Sequence, residues 1–377
     1  MDRLRIAFVV HDYHRNGGHA RYVAELSTRY CRDHEVHVFA NTFEESADVT
    51  IHSHHVPALR SNALATILSF VVPVSWQLMR AGHFDIVHSQ GFCGLSQNVM
   101  TAHISQTGWF AAVQSAGQRQ SLRKKVFRSI VQWLERRAYQ KRAAKQFIAV
   151  SYKLKNELAL YHGLDDQVVV IHHGIDTATF HPDNRARDRQ SVRSEHAIDD
   201  SQCVALYVGD WQKAGISLLH SLQSTESVHL MVVTKTNRSI VQREIDQANL
   251  TDRVTLVEPT REIYRYYAAS DMFVFPSYYD TFGMVVAEAM ASGLPAIVSR
   301  QTGASEWILN DQNGIIVESA SDAGSFSQAM NRLAKDPALR SAIGEAARST
   351  TIEHSWDRVA IETMDVYRRV LNMADRV

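Results

Sequence analysis

The chain has 377 residues, 45% hydrophobic and 21% charged, which excludes a disordered chain and is too long for one ordinary core, so two domains are expected. Its three cysteines, Cys31, Cys93 and Cys203, lie far apart without metal-ligand or redox spacing, which excludes a disulfide scaffold and fits buried thiols in a reducing compartment. The formal charge is zero, with 40 basic and 40 acidic residues, but it is unevenly spread.

The opening "MDRLRIAFVV" runs straight into a strand-like apolar segment, without the apolar core and small-residue cleavage site of a signal peptide. A cytoplasmic protein is expected. Further strands are read at 35–40, 49–56, 85–89, 98–104 and 146–151, with helical periodicity between several of them, as in "ARYVAELSTRYC". Residues 61–79 carry no charge, but Asn62, Thr66, Pro73 and Gln77 make them poor for a membrane span, so a buried or interfacial helix is expected. Residues 119–145 hold ten Lys or Arg against the single acid Glu135. Such a helix either docks on an anionic surface or is simply solvated. Regularity lapses over 170–190, where a domain boundary is expected.

The second half repeats the alternation, with strands at 204–209, 228–234, 253–258, 272–277 and 295–299, and ends in an amphipathic helix. Continuous Val/Ile-rich runs separated by helices point to parallel sheets covered on both faces. The fold class is therefore α/β, two Rossmann-like domains with ligands at the C-terminal ends of the strands.

Within "SYYDTFGMVVAEAMASGLPAIVS", Asp280 and Glu288 stand eight positions apart around a Phe282-Gly283 turn that opens a helix, a pattern suited to a polyhydroxylated ligand. Gly17 and Gly18, after the first strand, would let a backbone approach a phosphate or sugar, although a glycine pair also serves a plain tight turn. No cluster among the 19 histidines has metal-site spacing.

Taken in order, "NGGHARYVAEL", "FDIVHSQG", "VMTAHIS", "FIAVSYKLKNEL", "VVVIHHGIDTATFHP", "ALYVGDWQKAGISLL" and the stretch from "EIYRYYAASDMFVFPS" to "GASEWI" make the chain resemble the family 4 glycosyltransferases nearly end to end. The resemblance implies the GT-B fold, two Rossmann-like domains with parallel sheets facing a central cleft. A donor domain over 172–355 would follow an acceptor domain over 1–171, completed by a C-terminal helix at 356–377 that crosses back. It also implies transfer of a sugar from a nucleotide donor, with retention of configuration.

By this resemblance Glu288 accepts hydrogen bonds from the ribose hydroxyls and Asp280, standing for the usual Glu, reaches the donor sugar. Backbone amides from Phe282 through Gly283 and Met284 to Val285 would hold the diphosphate at a helix N-terminus. His103 would contact the donor sugar, against the plainer reading of a structural histidine. Gly17 and Gly18 fall in the family's donor- and acceptor-facing loop, and Arg21 is read as a phosphate or acceptor contact or as solvent-facing. His88 would line the site or pack beneath it, and His173 stands where Asn is common.

Departures matter as well. Asp210 stands where the family has Arg, and Lys213 lies one residue from the expected Lys. Lys235 stands where a Gly-x-Gly turn is usual. An anion about 4 Å from a diphosphate is unfavourable by several kcal/mol at an effective dielectric near 20. Asp210 must therefore point away, be paired, or belong to an altered donor site, with Lys213, assisted by Lys235 or Arg238, restoring positive charge.

The expected partners are a nucleotide-sugar donor and a carbohydrate or lipid-linked acceptor. No cofactor, metal or nucleic acid is expected, and the basic segment 119–145 offers a peripheral contact with the inner membrane face. Two other readings stand beside transfer. One is a nucleotide- or carbohydrate-binding protein that has lost it, favoured by Asp210; the other is a dinucleotide dehydrogenase, which lacks its Gly-x-Gly-x-x-Gly fingerprint.

Overall fold

In the computed structural model, which describes residues 3–15, 17–44, 50–115 and 122–374, the chain divides into two compact units. Asn16 of the glycine loop and residues 116–121, where the basic segment begins, lie outside the described residues. The first unit comprises Met1–Gly174 with Trp356–Val377, and the second Ile175–Ser355.

The first unit begins β1 (Arg5–Val9), β2 (Asp12–Tyr13), α1 (Gly18–Tyr30), β3 (Glu35–Ala40), β4 (Thr42–Phe43), β5 (His52–His55) and α2 (Ala63–Arg80). It continues with β6 (Ile86–Gln90), β7 (Val99–Ala102), α3 (Gln106–Ser115), α4 (Leu122–Ala138), β8 (Gln146–Ala149), α5 (Tyr152–His162) and β9 (Val168–Val170). Seven strands form one parallel sheet in the order β5-β3-β1-β6-β7-β8-β9. Its inner strands are almost wholly buried because helices cover both faces, whereas the edge strand β5, His-Ser-His-His, is polar and mostly exposed.

On one face, Phe70, Val74 and Leu78 of α2 pack on Ala7, Val9, Phe39 and Val56. Burying each such side chain is worth roughly 1.5–3 kcal/mol. The Asn62 side chain starts α2 by accepting the Ala65 amide at 2.9 Å. The opposite side of this helix, uncharged up to Arg80, leaves Leu68, Val72, Trp76 and Met79 exposed. No helix among the described residues is long and apolar enough to cross a membrane.

On the other face, the final helix of the chain joins α1. Tyr30 donates its hydroxyl to the Ala360 carbonyl at 2.7 Å, and the Tyr22 and Thr363 hydroxyls meet at 3.2 Å. Trp356, at the head of that helix, is fully buried.

The second unit runs α6 (Asn184–Glu195), β10 (Cys203–Val208), α7 (Gly215–Gln223), β11 (Val228–Val233), α8 (Arg238–Gln247), β12 (Val254–Val257) and α9 (Ile263–Ala269). Then come β13 (Met272–Phe275), α10 (Met284–Ala291), β14 (Ala296–Ser299), β15 (Ile315–Val317), α11 (Ala323–Lys335) and α12 (Pro337–Ile352); α13 (Trp356–Ala374) returns to the first unit. Its six-stranded sheet is parallel in the order β12-β11-β10-β13-β14-β15.

Asp271 ties α6 to this sheet. Its carboxylate takes Arg185 and Arg193, each at 2.7 Å, Arg189 at 3.0 Å and the Val204 amide at 2.9 Å. Arg193 is itself buried, its other N–H groups donating to the carbonyls of Ala269, Asp199, Asp200 and Gln202. Burial pushes the Asp271 carboxyl up, but the arginines and the amide outweigh it and hold it below its ordinary value. A buried charge survives only with such complete pairing.

Candidate functional site

In the second sheet the chain order reverses between β10 and β13, which lie side by side with later strands on one flank and earlier ones on the other. The crevice beyond the carboxyl ends of strands at such a reversal is where open α/β sheets bind ligands. The loops that follow β10 and β13 carry Lys213 and Asp280.

After β10 the chain makes a 3-10 turn, Trp211–Lys213. The Asp210 carboxylate caps it by accepting the Gln212 amide at 3.1 Å, and it also accepts the Thr236 hydroxyl at 3.3 Å. Tyr207 donates to the Asp210 carbonyl at 2.7 Å, and the buried Trp211 indole donates to Glu244 at 2.6 Å. These bonds fix the turn. They also orient the Asp210 carboxylate, whose Oδ1 takes both bonds while the group keeps its negative charge. Lys213 closes the turn, and its ammonium lies 3.5 Å from Asp280 Oδ2.

Asp280 is held by its own turn and by a neighbouring one. Its Oδ1 accepts the Phe282 amide at 3.2 Å, its backbone amide donates to Gln301 O at 3.3 Å, and its carbonyl accepts the Gly303 amide at 3.0 Å. A Cβ on Gly303 would overlap Thr281 O and Phe282 Cα, so only glycine lets the two loops approach this closely. Gly283 takes φ +91°, the left-handed region that favours glycine, and provides no side-chain cap to α10. The first amides of α10, at Met284 and Val285, lack intrahelical acceptors as in any helix, and the helix dipole adds partial positive charge there. The Phe282 amide differs from the sequence expectation, since it serves Asp280 locally.

Glu288 sits one turn further along α10, buried, and its Oε2 accepts the Tyr267 hydroxyl at 3.1 Å. Burial first and Glu288 second push the Tyr267 hydroxyl well above its ordinary pKa, so it stays a donor. Lys235 is exposed after β11, and Arg238, opening α8, donates to the Leu256 carbonyl at 3.3 Å. The second unit thus brings together Lys213, Asp280 and the Phe282–Val285 turn, with Glu288 on the same helix.

In the first unit the order reverses between β1 and β6. Gly17 and Gly18 precede and open α1, with φ +129° and +26° and open space where a Cβ would stand. Arg21 lies in the first turn of α1, 3.8 Å from Glu25. His103, just past β7, has Nε2 2.8 Å from Gln90 Oε1 and packs its ring on Tyr22, His173 and His19. Burial, with His173, His19 and His88 adding repulsion, holds His103 well below the ordinary histidine pKa, so it is neutral. His88 lies beneath, fully buried between the Tyr367 hydroxyl at 2.7 Å and the Thr101 hydroxyl at 2.6 Å. Burial lowers His88 and His173 to about 3 and His11 to about 4.

Sequence reasoning passed over three of these residues. Tyr267 lies 21 positions before Glu288, and no local pattern links the two. His19 and His11 flank the glycine loop, and the sequence "HDYHRNGGHA" displayed them without showing that His19 would meet His103.

Known proteins share this arrangement of sequence and fold. The family described as Glycosyltransferase Family 4 matches residues 16–179, and glycosyl transferases group 1 matches residues 188–350. Alpha-maltose-1-phosphate synthase of Mycobacterium tuberculosis is 29% identical over 86% of this chain and 85% of that protein. D-inositol 3-phosphate glycosyltransferase of Pseudarthrobacter chlorophenolicus is 25% identical over 94% of this chain and 91% of that protein. Among solved structures, WaaG, a glycosyltransferase involved in lipopolysaccharide biosynthesis, superposes with TM-score 0.82 at 16% identity, covering 96% of this chain and 99% of that one. Anabaena HepE in complex with UDP-glucose gives 0.67 at 16% identity, with both chains fully covered. At such identities the structures establish the shared GT-B fold.

Proposed function

We propose that this chain, which belongs to the family 4 glycosyltransferases, transfers a hexosyl group from a UDP- or GDP-sugar to an acceptor hydroxyl with retention of anomeric configuration. The acceptor is a saccharide, a lipid-linked sugar or a small polyol. The observation that carries the reading is the Lys213–Asp280 pair at 3.5 Å, at the ends of adjacent strands. Such a part-exposed ion pair adds little stability, and it stands at the strand-order reversal where open α/β sheets take their ligands.

In this reading the Met284 and Val285 amides and Lys213 hold the diphosphate, Glu288 accepts the ribose hydroxyls, and Asp280 accepts from a hydroxyl of the transferred sugar. His103, neutral, exchanges a hydrogen bond with a sugar hydroxyl, and the Gly17-Gly18 turn admits a ligand close to its backbone. Lys235 adds positive charge toward phosphate, and Arg21 of the first unit serves as a phosphate or acceptor contact. The acceptor oxygen attacks the anomeric carbon on the face that the diphosphate leaves. As the new C–O bond forms, the bond to the diphosphate breaks, and a phosphate oxygen takes the acceptor's proton. No second carboxylate acts as a nucleophile, unlike in retaining glycosidases. Positioning and charge stabilisation supply the rate, and Lys213 with the helix terminus fills the role a metal plays elsewhere.

The relatives' names support a phosphorylated sugar or polyol as one acceptor class, and the UDP-glucose bound by HepE supports a uridine donor. Thermal shifts with UDP, GDP, ADP, TDP and NAD, then with their sugars, test the reading. One nucleoside diphosphate raising the melting temperature, followed by an α-linked product from its α-configured sugar donor, is expected. A response to NAD alone, or an inverted product, would overturn it. Binding without turnover would instead favour a carbohydrate-binding protein, the reading that Asp210 in the usual Arg position supports.

The acceptor side includes a lipid surface. Phe127, Ile130 and Trp133 of α4 are exposed, Trp133 at 57%, among Arg128, Arg136 and Arg137. Leu134 and Glu135 face inward, Glu135 accepting the Gln106 and Thr107 amides at the start of α3. Apolar groups ringed by arginine match the headgroup region of an anionic leaflet, and the chain would work at the cytoplasmic face of such a membrane.

A further inference from the structure

We propose that Glu35, His37 and His52 form a binding site for a divalent transition-metal ion, zinc foremost, at the outer edge of the first sheet. The spacing of these residues along the chain gives no sign of a metal site. The strand register creates it. In the parallel pairing of β3 with β5, His37 stands opposite His52 and Phe39 opposite His54. Side chains two apart on a strand share a face, so Glu35 and His37 meet His52 and His54 on one side of the edge.

One ligand atom from each of Glu35, His37 and His52 lies within 4.8 Å of the other two. The His37 and His52 rings stack at 4.6 Å between centroids. Glu35 Oε1 is 2.8 Å from His37 Nε2, and His37 Nδ1 is 2.8 Å from His54 Nε2. With His37 Nε2 on the Glu35 side, the His54 ring on its Nδ1 can fix the ring and tautomer, the part that a carboxylate or carbonyl plays behind other ligating histidines. His54 is positioned as that supporting partner, its own ring stacked on Phe39 at 4.2 Å.

Two imidazoles and one carboxylate suit zinc and its neighbours, whereas calcium and magnesium call for oxygen ligands. His37 is buried and His52 exposed, which gives the site a fixed side and a side open to solvent. His52, the exposed member of the stack, is the ligand that would turn its ring toward the ion. Arg5 also donates to Glu35 Oε1, at 2.8 Å, but its guanidinium is anchored independently by the Ala81 and His83 carbonyls, each at 2.9 Å. Glu35 can therefore turn to an ion without dislodging Arg5, whose charge keeps the affinity moderate.

Glu35 and His52 open their strands, so the site lies at the amino ends of β3 and β5. His11 and His103 follow the carboxyl ends of β1 and β7 in the same sheet. The ion would thus clamp the edge strand β5 onto β3, and the transfer reaction would not use it.

Calorimetric titration of the metal-stripped full chain with zinc chloride alone, nucleotide-free at neutral pH, tests the assignment. One equivalent should bind, and the exposed-residue variant His52→Ala should bind ~10-fold or more weakly. His220→Ala, at an exposed position on α7, should match the parent. Zinc should raise the melting temperature of the parent and of His220→Ala, but not of His52→Ala, and calcium should raise none. Absence of saturable binding by the parent, or equal binding by His52→Ala, would overturn the proposal.

Discussion

Lys213 Nζ lies 3.5 Å from Asp280 Oδ2 across 67 positions of sequence, joining the loops that leave two neighbouring parallel strands. Each residue is anchored from behind, Lys213 by the capped Asp210 turn and Asp280 by the Phe282 amide and the Gly303 loop. Their charged ends meet beyond the carboxyl ends of β10 and β13, where the proposed donor would bring both anionic phosphate and neutral hydroxyls.

Lys213→Ala should lower kcat by about 10²–10³, the usual range for losing one group that stabilises developing charge. Lys213→Arg should retain more activity. Steady-state kinetics with saturating acceptor measures both, and an unchanged kcat in Lys213→Ala would remove it from leaving-group stabilisation.

Glu288→Ala should weaken nucleotide binding about ten- to a hundredfold, the range for hydrogen bonds to a charged group. Comparing UDP with its 2′,3′-dideoxy analogue isolates the cause. The analogue should bind the parent weakly and lose little more in the variant. Equal losses for both nucleotides would mean that Glu288 only supports Tyr267.

Gly303→Ala must push the Thr281-Phe282 backbone aside. The expected cost is about 1–3 kcal/mol of stability, as for other overpacked sites, with a raised donor KM because Asp280 moves with its loop. Urea denaturation with donor kinetics checks this, and normal values for both would show that the loops yield without consequence.

Acid should weaken the first unit well before its carboxylates titrate. His88 and His173 ordinarily titrate near 6.5 but in the fold only at about 3, because both are buried. Below 6.5 the unfolded chain takes up protons that the folded chain refuses. Stability therefore falls as pH drops from 6.5 toward 3, by about 1.4 kcal/mol per pH unit for each histidine. Urea melts from pH 7.5 downward should show this slope, and His88→Gln should flatten it. An unaltered slope in that variant would take His88 out of the account.

Flotation with vesicles rich in anionic lipid should recover the protein at low salt, and recovery should fall in high salt as surface charge is screened. Trp133→Ser and Arg137→Gln should each reduce it. Equal recovery with neutral vesicles would contradict an arginine-led contact and point to the exposed apolar face of α2.

Most of the fold could be read because its strands are buried on both sides. A run such as "VHLMVV" has no polar phase to confuse and becomes β11 almost residue for residue. The short β15, Ile315–Val317, escaped because three residues carry too little pattern. The acidic pair Asp280 and Glu288 stood out because a local turn and helix set their spacing. Lys213 was singled out through the family resemblance, but Tyr267 and the Gly303 loop were not, because they reach the same place only through strand order, which no local pattern encodes. The same limit hid Glu35, His37 and His52, whose meeting depends on the register of β3 against β5. Uncharged residues 61–79 became α2, a helix with one face in the core and the other bare, where sequence had left a buried and an interfacial helix open.

The α13 helix gives the chain an order of assembly. Tyr22 and Tyr30 emerge early from the ribosome, but the Thr363 hydroxyl and Ala360 carbonyl they bind are translated 341 and 330 residues later. The second unit, Ile175–Ser355, is by contrast one uninterrupted stretch and holds all its own strands. During synthesis it can close while the first-born half still waits with an uncovered helix face, a waiting period in which a chaperone would find its binding surface.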